Sequence, residues 1–294
     1  MRVIARIYGG LGNQLFMYAF ARRVALAHDA ELVLDTTSGF TRDPYRRDYA
    51  LQHFDVAGRP ASDWESYADR FGIPRRRAAR LVNRLLPAAS RWYLHEESQG
   101  YDSRVLTRPL RQSVYLEGYW QLADHAEAIA DVLRADLSFR WQPGAVLRQS
   151  GLHLREYPSV CVHVRRFRDA SASSGTEGRE LPPAYYQQAI EHIRRKVSDA
   201  DFYVFTETPD CPLVKQLVDD GCRLAGDGGA SRSPIGDFWL MTQCRYFVVA
   251  NSTYSWWAAW LGRSASSVIV APARVCDIMN LSFTCPSDWL SVRP

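Results

Sequence analysis

Arg2-Val-Ile-Ala-Arg-Ile-Tyr-Gly-Gly-Leu-Gly-Asn-Gln-Leu-Phe-Met-Tyr-Ala19, followed by Glu31-Leu-Val-Leu-Asp35, is the stretch that decides the fold. Arg2 to Tyr8 alternates toward a strand, Gly9 to Gly12 forms a turn, and a helix runs from about Asn13 to Ala27. Glu31 to Leu34 is a second strand ending at Asp35. Strand, glycine turn, helix and strand in that order open a parallel α/β unit. Further on, residues 43–54 read as a polar and aromatic loop over the strand ends. Residues 73–86 form an arginine-rich helix bounded by Pro74 and Pro87. Val114–Glu117 is a short strand and Ala123–Leu137 a helix.

Trp141-Gln-Pro-Gly144 is a turn signal and a hinge, after which the rhythm restarts. Strands are predicted at Ser159–Val164, Asp201–Phe205, Tyr246–Ala250 and Ser267–Ala271, with helices at Pro183–Val197 and Cys211–Asp219. The pattern predicts two Rossmann-like domains facing a cleft, residues 1–150 and 151–294. The tail is expected to pack back on the first domain.

The chain has 294 residues, 47% of them hydrophobic and 23% charged, a net charge of +4 and only two lysines, Lys196 and Lys215. That suits a soluble globular protein with a full core and argues against extended disorder. The basic balance is mild and its arginines scattered, which suits an anionic ligand and not a nucleic-acid partner. No apolar run reaches the roughly 18 residues needed to span a bilayer, and the N-terminus is too short in apolar residues for a signal peptide. The six cysteines show no CxxC spacing, which points to a reducing, cytoplasmic compartment without a zinc or disulfide framework.

Four segments can carry chemistry. Gly9-Gly10-Leu11-Gly12-Asn13-Gln14 lets backbone approach a ligand closely at a helix start. As a dinucleotide fingerprint it fails, because the third glycine position falls on Leu15. His163-Val-Arg-Arg166 lies at the carboxyl end of a strand, with His163 and Arg165 on one face. A guanidinium there can fork onto two phosphate oxygens without a metal. Asp237-Phe-Trp-Leu-Met leads into a buried strand, and Asn251-Ser252-Thr253-Tyr254-Ser255 then starts an aromatic helix. Hydroxyl and amide side chains at a helix start serve equally as caps or as part of an anion site. Asp237 is read as an N-cap or as a carboxylate for a guanine edge; Trp256, Trp257 and Trp260 read as core. The helix of residues 73–86 reads as a solvated basic face, with peripheral contact to anionic lipid, at the inner face of the membrane, as the second reading.

Taken together these segments resemble glycosyltransferase family 11, the α-1,2-fucosyltransferases. That family opens on a Gly-Gly-Leu-Gly-Asn-Gln-Leu-Phe-like run with Tyr-Ala soon after, here Gly9 to Ala19. Its His-x-Arg-Arg signature matches His163 to Arg166. Its late block, an Asp before Leu-Met and then Ala-Asn-Ser-Ser-Phe-Ser-Trp-Trp, matches Asp237, Leu240-Met241 and Ala250 to Trp257. Smaller echoes fall at Arg47–Leu51 with Phe54 and at Leu116–Gln121. Two departures stand out: Phe167-Arg168-Asp169 replaces the family's Gly-Asp-Tyr, and Thr206-Glu207-Thr208 stands where Ser-Asp-Asp is frequent.

The resemblance implies a GT-B-like fold with the nucleotide sugar held mainly by the second domain. It implies an inverting transfer from GDP-β-L-fucose to the 2-hydroxyl of a terminal galactose on a glycan acceptor, with no metal and no cofactor. On it, Arg165 stabilises the leaving pyrophosphate with His163 in support. Ser252, Thr253 and Tyr254, beside Asn251 and Ser255, contact phosphate, and Asp237 contacts guanine. Gly10, Gly12, Asn13 and Gln14 meet the phosphate or sugar across the cleft. The catalytic base is open among Asp35, Glu117, Asp124 and Asp169. The rivals are a degenerate GDP-sugar binder without turnover and an NAD-dependent oxidoreductase built on Gly9–Asp35.

Overall fold

The computed structural model describes residues 1–96, 103–166, 180–226, 233–273 and 285–293. The chain forms two compact units, the first spanning Met1–Trp141 and the second beginning at Gln142 and taking in residues 285–293.

In the first unit the elements run β1 (Arg2–Arg6), α1 (Leu11–Ala27), β2 (Glu31–Asp35), β3 (Arg59–Pro60), α2 (Gly72–Leu85), β4 (Tyr93–His95), β5 (Val114–Glu117), α3 (Ala123–Glu127) and α4 (Ala130–Asp136). The five strands pair in parallel in the order β3-β2-β1-β5-β4. Every residue of α1 from Gln14 to Ala21 is buried. A helix apolar on all sides belongs inside a core instead of on its surface. Its few polar groups find partners: the Tyr18 hydroxyl donates to Asp136 Oδ2 at 2.6 Å, and Arg22 Nε donates to the same oxygen at 2.8 Å.

The second unit runs α5 (Ala145–Glu156), β6 (Ser159–Val164), α6 (Pro183–Lys196), β7 (Asp201–Thr206), α7 (Pro212–Asp219), β8 (Arg223–Leu224), α8 (Pro234–Gln243), β9 (Tyr246–Val248), α9 (Thr253–Gly262), β10 (Ile269–Pro272) and β11 (Leu290–Val292). Its six strands are also parallel, in the order β11-β10-β9-β6-β7-β8. All six residues of β6 are buried, as a central strand covered on both faces requires. Trp256, Trp257 and Trp260 have no exposed surface and form core, as their helical spacing predicts.

Several boundaries differ from the sequence reading. The predicted helix over Ala123–Leu137 breaks at Ala128-Ile129, where Ile129 leaves helical geometry at φ −133°, ψ 34°. Residues 145–150, assigned to the first domain, start α5, which packs on α8 in the second unit. The helices meet where a side chain would not fit: a Cβ on Gly151 would lie 2.3 Å from the Trp239 ring. The tail was expected to pack on the first domain; its strand β11 joins the second sheet, pairing with β10 from Leu290 to Val292, and residues 274–284 lie outside the described residues. Gly151→Val should therefore push α5 and α8 apart and destabilise the fold by about 1–3 kcal/mol. Denaturant titration of the variant checks this; an unchanged midpoint would show that the contact is slack.

Candidate functional site

Parallel strands deliver all their carboxyl ends to one edge, and ligand groups gather where the strand order reverses. In the second sheet the chain moves outward from β6 to β7 and β8, then returns to β9, β10 and β11 on the other side. The reversal lies between β6 and β9. Three predicted groups meet beyond those two strands.

His163 is the second-last residue of β6, is 6% exposed, and its Nδ1 has no hydrogen-bond partner among the described residues. Burial, with the neighbouring Arg165 charge second, pushes the imidazole down to about 3. The ring is thus neutral at physiological pH. Arg165, two residues on, pairs with Glu207 just past the end of β7. Its guanidinium is one-third exposed and the carboxylate two-thirds exposed. Arg166 turns instead to Glu180 at 3.1 Å on the surface.

Beyond β9, Asn251 is buried and Ser252 caps α9, its hydroxyl accepting from the Tyr254 N–H at 3.3 Å. Ser255 Oγ accepts from the Ala250 N–H and donates to the Ser252 carbonyl, both at 3.2 Å. The two serine hydroxyls are spent on the turn's own backbone groups, so what the turn offers a ligand is mainly the positive end of the helix dipole. Tyr254 ties the region together. Its ring lies 5.8 Å from the His163 ring and 5.1 Å from that of Phe238, and its hydroxyl donates to the Pro234 carbonyl. Burial raises that hydroxyl well above its usual value, with Asp237 and Glu207 adding to the effect, so it stays protonated. The N-cap of α8 is Ser233, whose Oγ accepts from the Gly236 N–H at 3.1 Å. Asp237 is therefore a first-turn residue and not the cap. Ser-Pro at the helix start was the readable signal.

The first sheet reverses between β1 and β5, and its edge is saturated with partners. Asp35 accepts from the Ser38 N–H at 2.9 Å and from the Ser38 and Tyr115 hydroxyls, each at 2.6 Å. Arg6 binds Ser38 through Nε at 3.1 Å and reaches Glu117 Oε1 at 3.1 Å. Glu117 also pairs with Arg76 at 3.3 Å and Arg80 at 2.5 Å and accepts the Tyr93 hydroxyl. Burial opposes its charge, yet the Arg80 and Tyr93 bonds and the remaining arginines hold its pKa below the usual carboxylate value. Neither Asp35 nor Glu117 has the free lone pairs of a base at rest.

The glycine loop is built as the sequence suggests. Gly9 takes φ +77°, which only glycine adopts without cost, and a Cβ on Gly10 would meet open space. Gly12 and Gln14 are buried. Gln14 donates to the Gly9 and Asp48 carbonyls at 2.8 and 2.9 Å and accepts from the Ala50 N–H at 2.8 Å. Its amide is spent on the fold, stapling the loop to residues 48–50. Asn13 is half-buried and accepts from Gln121 Nε2 at 3.1 Å.

Three residues of this edge escaped the sequence reading. Tyr8 and Tyr119 are half-buried, with ring centroids 5.1 Å apart, and Arg6 lies 4.8 Å over the Tyr8 ring. Glu96, just past β4, accepts from the Tyr119 N–H at 2.5 Å and the Trp120 N–H at 3.1 Å. These bonds hold Trp120 at φ +53°, a strained value for a bulky residue. Burial raises the Glu96 carboxyl above its ordinary value. Tyr119 stands in the quoted Leu116–Gln121 segment, but nothing local links it to Glu96, 23 residues earlier. Asp124 is exposed in the first turn of α3, and Asp169 lies outside the described residues. No group of three His, Cys, Asp or Glu among the described residues is placed to hold a metal. No described helix is long and apolar enough to cross a membrane.

Two all-parallel α/β units, the second carrying a neutral histidine and an arginine at its strand-order reversal, have the architecture of the GT-B glycosyltransferases. The model of glycosyl transferase family 11 matches residues 90–283, and the chain belongs to that family. An Escherichia coli α-1,2-colitosyltransferase is 25% identical, covering 99% of both chains. The mouse galactoside α-(1,2)-fucosyltransferase 1 is 27% identical over 51% of this chain and 42% of its own. Among solved structures, the NodZ α-1,6-fucosyltransferase soaked with GDP-fucose superposes with a TM-score of 0.50 at 15% identity, covering 97% of this chain and 99% of that one. A variant of Arabidopsis thaliana FUT1 in complex with GDP gives 0.51 at 14% identity, covering 91% and 69%. These two likenesses concern the fold.

The charge network yields a measurable acid sensitivity. Glu117 has a folded pKa below that of the unfolded chain, so its stabilisation is complete above about pH 4.5 and drains as pH falls through the lower folded value. Glu117→Gln should cost on the order of 2 kcal/mol at pH 7, below the value for a fully buried pair because the arginine ends reach solvent. The gap from wild type should shrink at pH 3. Equal gaps at both pH values in chemical denaturation would contradict this account.

Proposed function

We propose that the protein transfers L-fucose from GDP-β-L-fucose to the 2-hydroxyl of a terminal galactoside, with inversion and without a metal. The observation that carries this reading is Arg165 beside the Asn251–Ser255 turn at the strand-order reversal of the second sheet. Family membership supports it, as does the α-1,2 linkage shared by the names of the bacterial and mouse relatives. The GDP and GDP-fucose complexes of the two fold relatives support a guanine nucleotide as donor.

The second unit holds the donor. Its pyrophosphate sits at the N-terminus of α9, where the helix dipole favours negative charge. Arg165 leaves Glu207 and forks onto the departing phosphate, the point at which charge grows in the transition state. His163, neutral by burial, orients that phosphate through a hydrogen bond without competing for charge. Asp237 takes the guanine edge, and Tyr254 positions the surrounding elements without itself contacting phosphate.

The first unit supplies the acceptor side. A galactoside presents an apolar face, and the Tyr8–Tyr119 pair offers it an aromatic platform. Gly10 and Asn13 contact sugar or phosphate, while Gly12 and Gln14 keep the loop in shape. With Asp35 and Glu117 held by donors, departure of the leaving group carries most of the barrier and no strong base is assigned. Attack on a β-linked donor to give an α-linked product is a single displacement with inversion.

A second reading, transfer of colitose, is favoured by the colitosyltransferase that matches this chain end to end. Colitose lacks the 3-hydroxyl of fucose, so comparing the two GDP-sugars separates the readings. GDP release with lactose as acceptor, in EDTA, should proceed and should fall about 10²–10³-fold in Arg165→Ala. Loss of turnover in EDTA with recovery on magnesium would sink the metal-independent mechanism. Tight GDP binding without turnover on either sugar would favour a degenerate binder. Tyr119→Ala should raise the acceptor KM several-fold and leave GDP affinity unchanged; a shift in GDP affinity instead would refute the platform assignment.

A further inference from the structure

Helix α2 is built inside out. A surface helix ordinarily turns an apolar stripe to the core and its charges to water. Here the side facing the protein carries Ala79, Asn83, Arg76 and Arg80. Asn83 Nδ2 donates to the Ala79 carbonyl at 2.9 Å, and its Oδ1 accepts from the Trp92 and Tyr93 N–H groups, both at 2.8 Å. Arg76 and Arg80 reach Glu117. These directional bonds fix the rotation of the helix about its axis.

At about 100° per residue, the opposite side then gathers Ala78, Leu81, Val82 and Leu85. Leu81 is 62% exposed, Val82 49% and Leu85 82%. Arg77 and Arg84 flank this stripe on one side and Arg75 on the other. Arg77 and Arg84 are exposed and have no ionic partner among the described residues. From Gly72 to Leu85 there is no acidic residue. At the helix start Phe71 is 55% exposed, with the Arg70 guanidinium 4.7 Å over its ring.

We propose that the outward face of α2 lies on an anionic phospholipid surface, its leucines at the acyl boundary and its flanking arginines on the phosphates. An apolar stripe edged by cations is the pattern of an interfacial helix, and guanidinium matches phosphate geometry. A second copy of the chain fits poorly, because an isologous contact would set this cationic, acid-free helix against itself. The inference stands apart from the identity of the donor sugar.

Cosedimentation of the full chain with phosphatidylcholine vesicles, with and without phosphatidylglycerol, tests it. Binding should require phosphatidylglycerol, weaken with salt, and disappear in Leu81→Glu/Leu85→Glu, whose sites are solvent-facing and whose circular dichroism should match wild type. Arg77→Gln/Arg84→Gln should weaken binding about thirty-fold, at roughly fivefold per arginine. The proposal is overturned if phosphatidylglycerol vesicles do not pellet the protein, or if the leucine variant binds as well as wild type. A concentration-dependent dimer that dissolves in the leucine variant and excludes vesicles would likewise replace it with self-association.

Discussion

Parallel pairing is the constraint from which the rest follows. With every paired strand of both sheets running the same way, each unit sends all its strand ends to one edge and all its returning helices to the faces. Wherever the chain changes direction across a sheet, two adjacent strands send their following segments to opposite faces and leave a gap between them. The first sheet has its gap between β1 and β5 and the second between β6 and β9. The candidate site groups among the described residues collect at those two places: the glycine loop and the aromatic pair at one, the histidine, arginine and capped helix at the other.

The two edges are finished differently. At the first, carboxylates and arginines neutralise one another so fully that Asp35, Arg6 and Glu117 behave as a rigid floor under Tyr8 and Tyr119. Such a floor suits a neutral ligand held by shape and stacking. At the second, charge is left near the surface and the polar side chains of the turn are spent on its own backbone at a helix N-terminus. That suits a ligand carrying several negative charges. The Glu117 cluster does further service by anchoring α2, so the floor of one edge also sets the orientation of an outer helix.

Much of this was legible because it rests on short-range rules. Gly9 announced its own backbone geometry, Trp256, Trp257 and Trp260 announced core by spacing, and the His163–Arg166 signature fell at the end of an unmistakable buried strand. What stayed hidden depends on partners far apart in the chain. The bond between Glu96 and the Tyr119 segment spans 23 residues, and the bond from Tyr115 to Asp35 spans 80. Both arise only once β5 is inserted beside β1. Helix α5 was hidden for another reason: Trp141-Gln-Pro-Gly144 is a strong turn signal, and the same glycine that suggested a hinge is the N-cap of the helix that follows. The break between α3 and α4 has no glycine or proline to mark it. The N-cap reading of Asp237 failed because Ser233 and Pro234, four and three residues earlier, already start the helix.

The Arg165–Glu207 pair gives the second edge a resident anion. Both partners are partly exposed, so the pair contributes little to stability, within about 1 kcal/mol. Its weight lies in occupancy. On the proposed function, a phosphate arriving at Arg165 would replace a carboxylate already seated there, and the grip it gained would be the difference between two anions instead of the full attraction of one. On departure the same carboxylate would reclaim the guanidinium. Ligand entry and exit would thus become an exchange with a tethered competitor, which under the proposed function would temper affinity for the spent nucleotide and leave the arginine aligned for the next one.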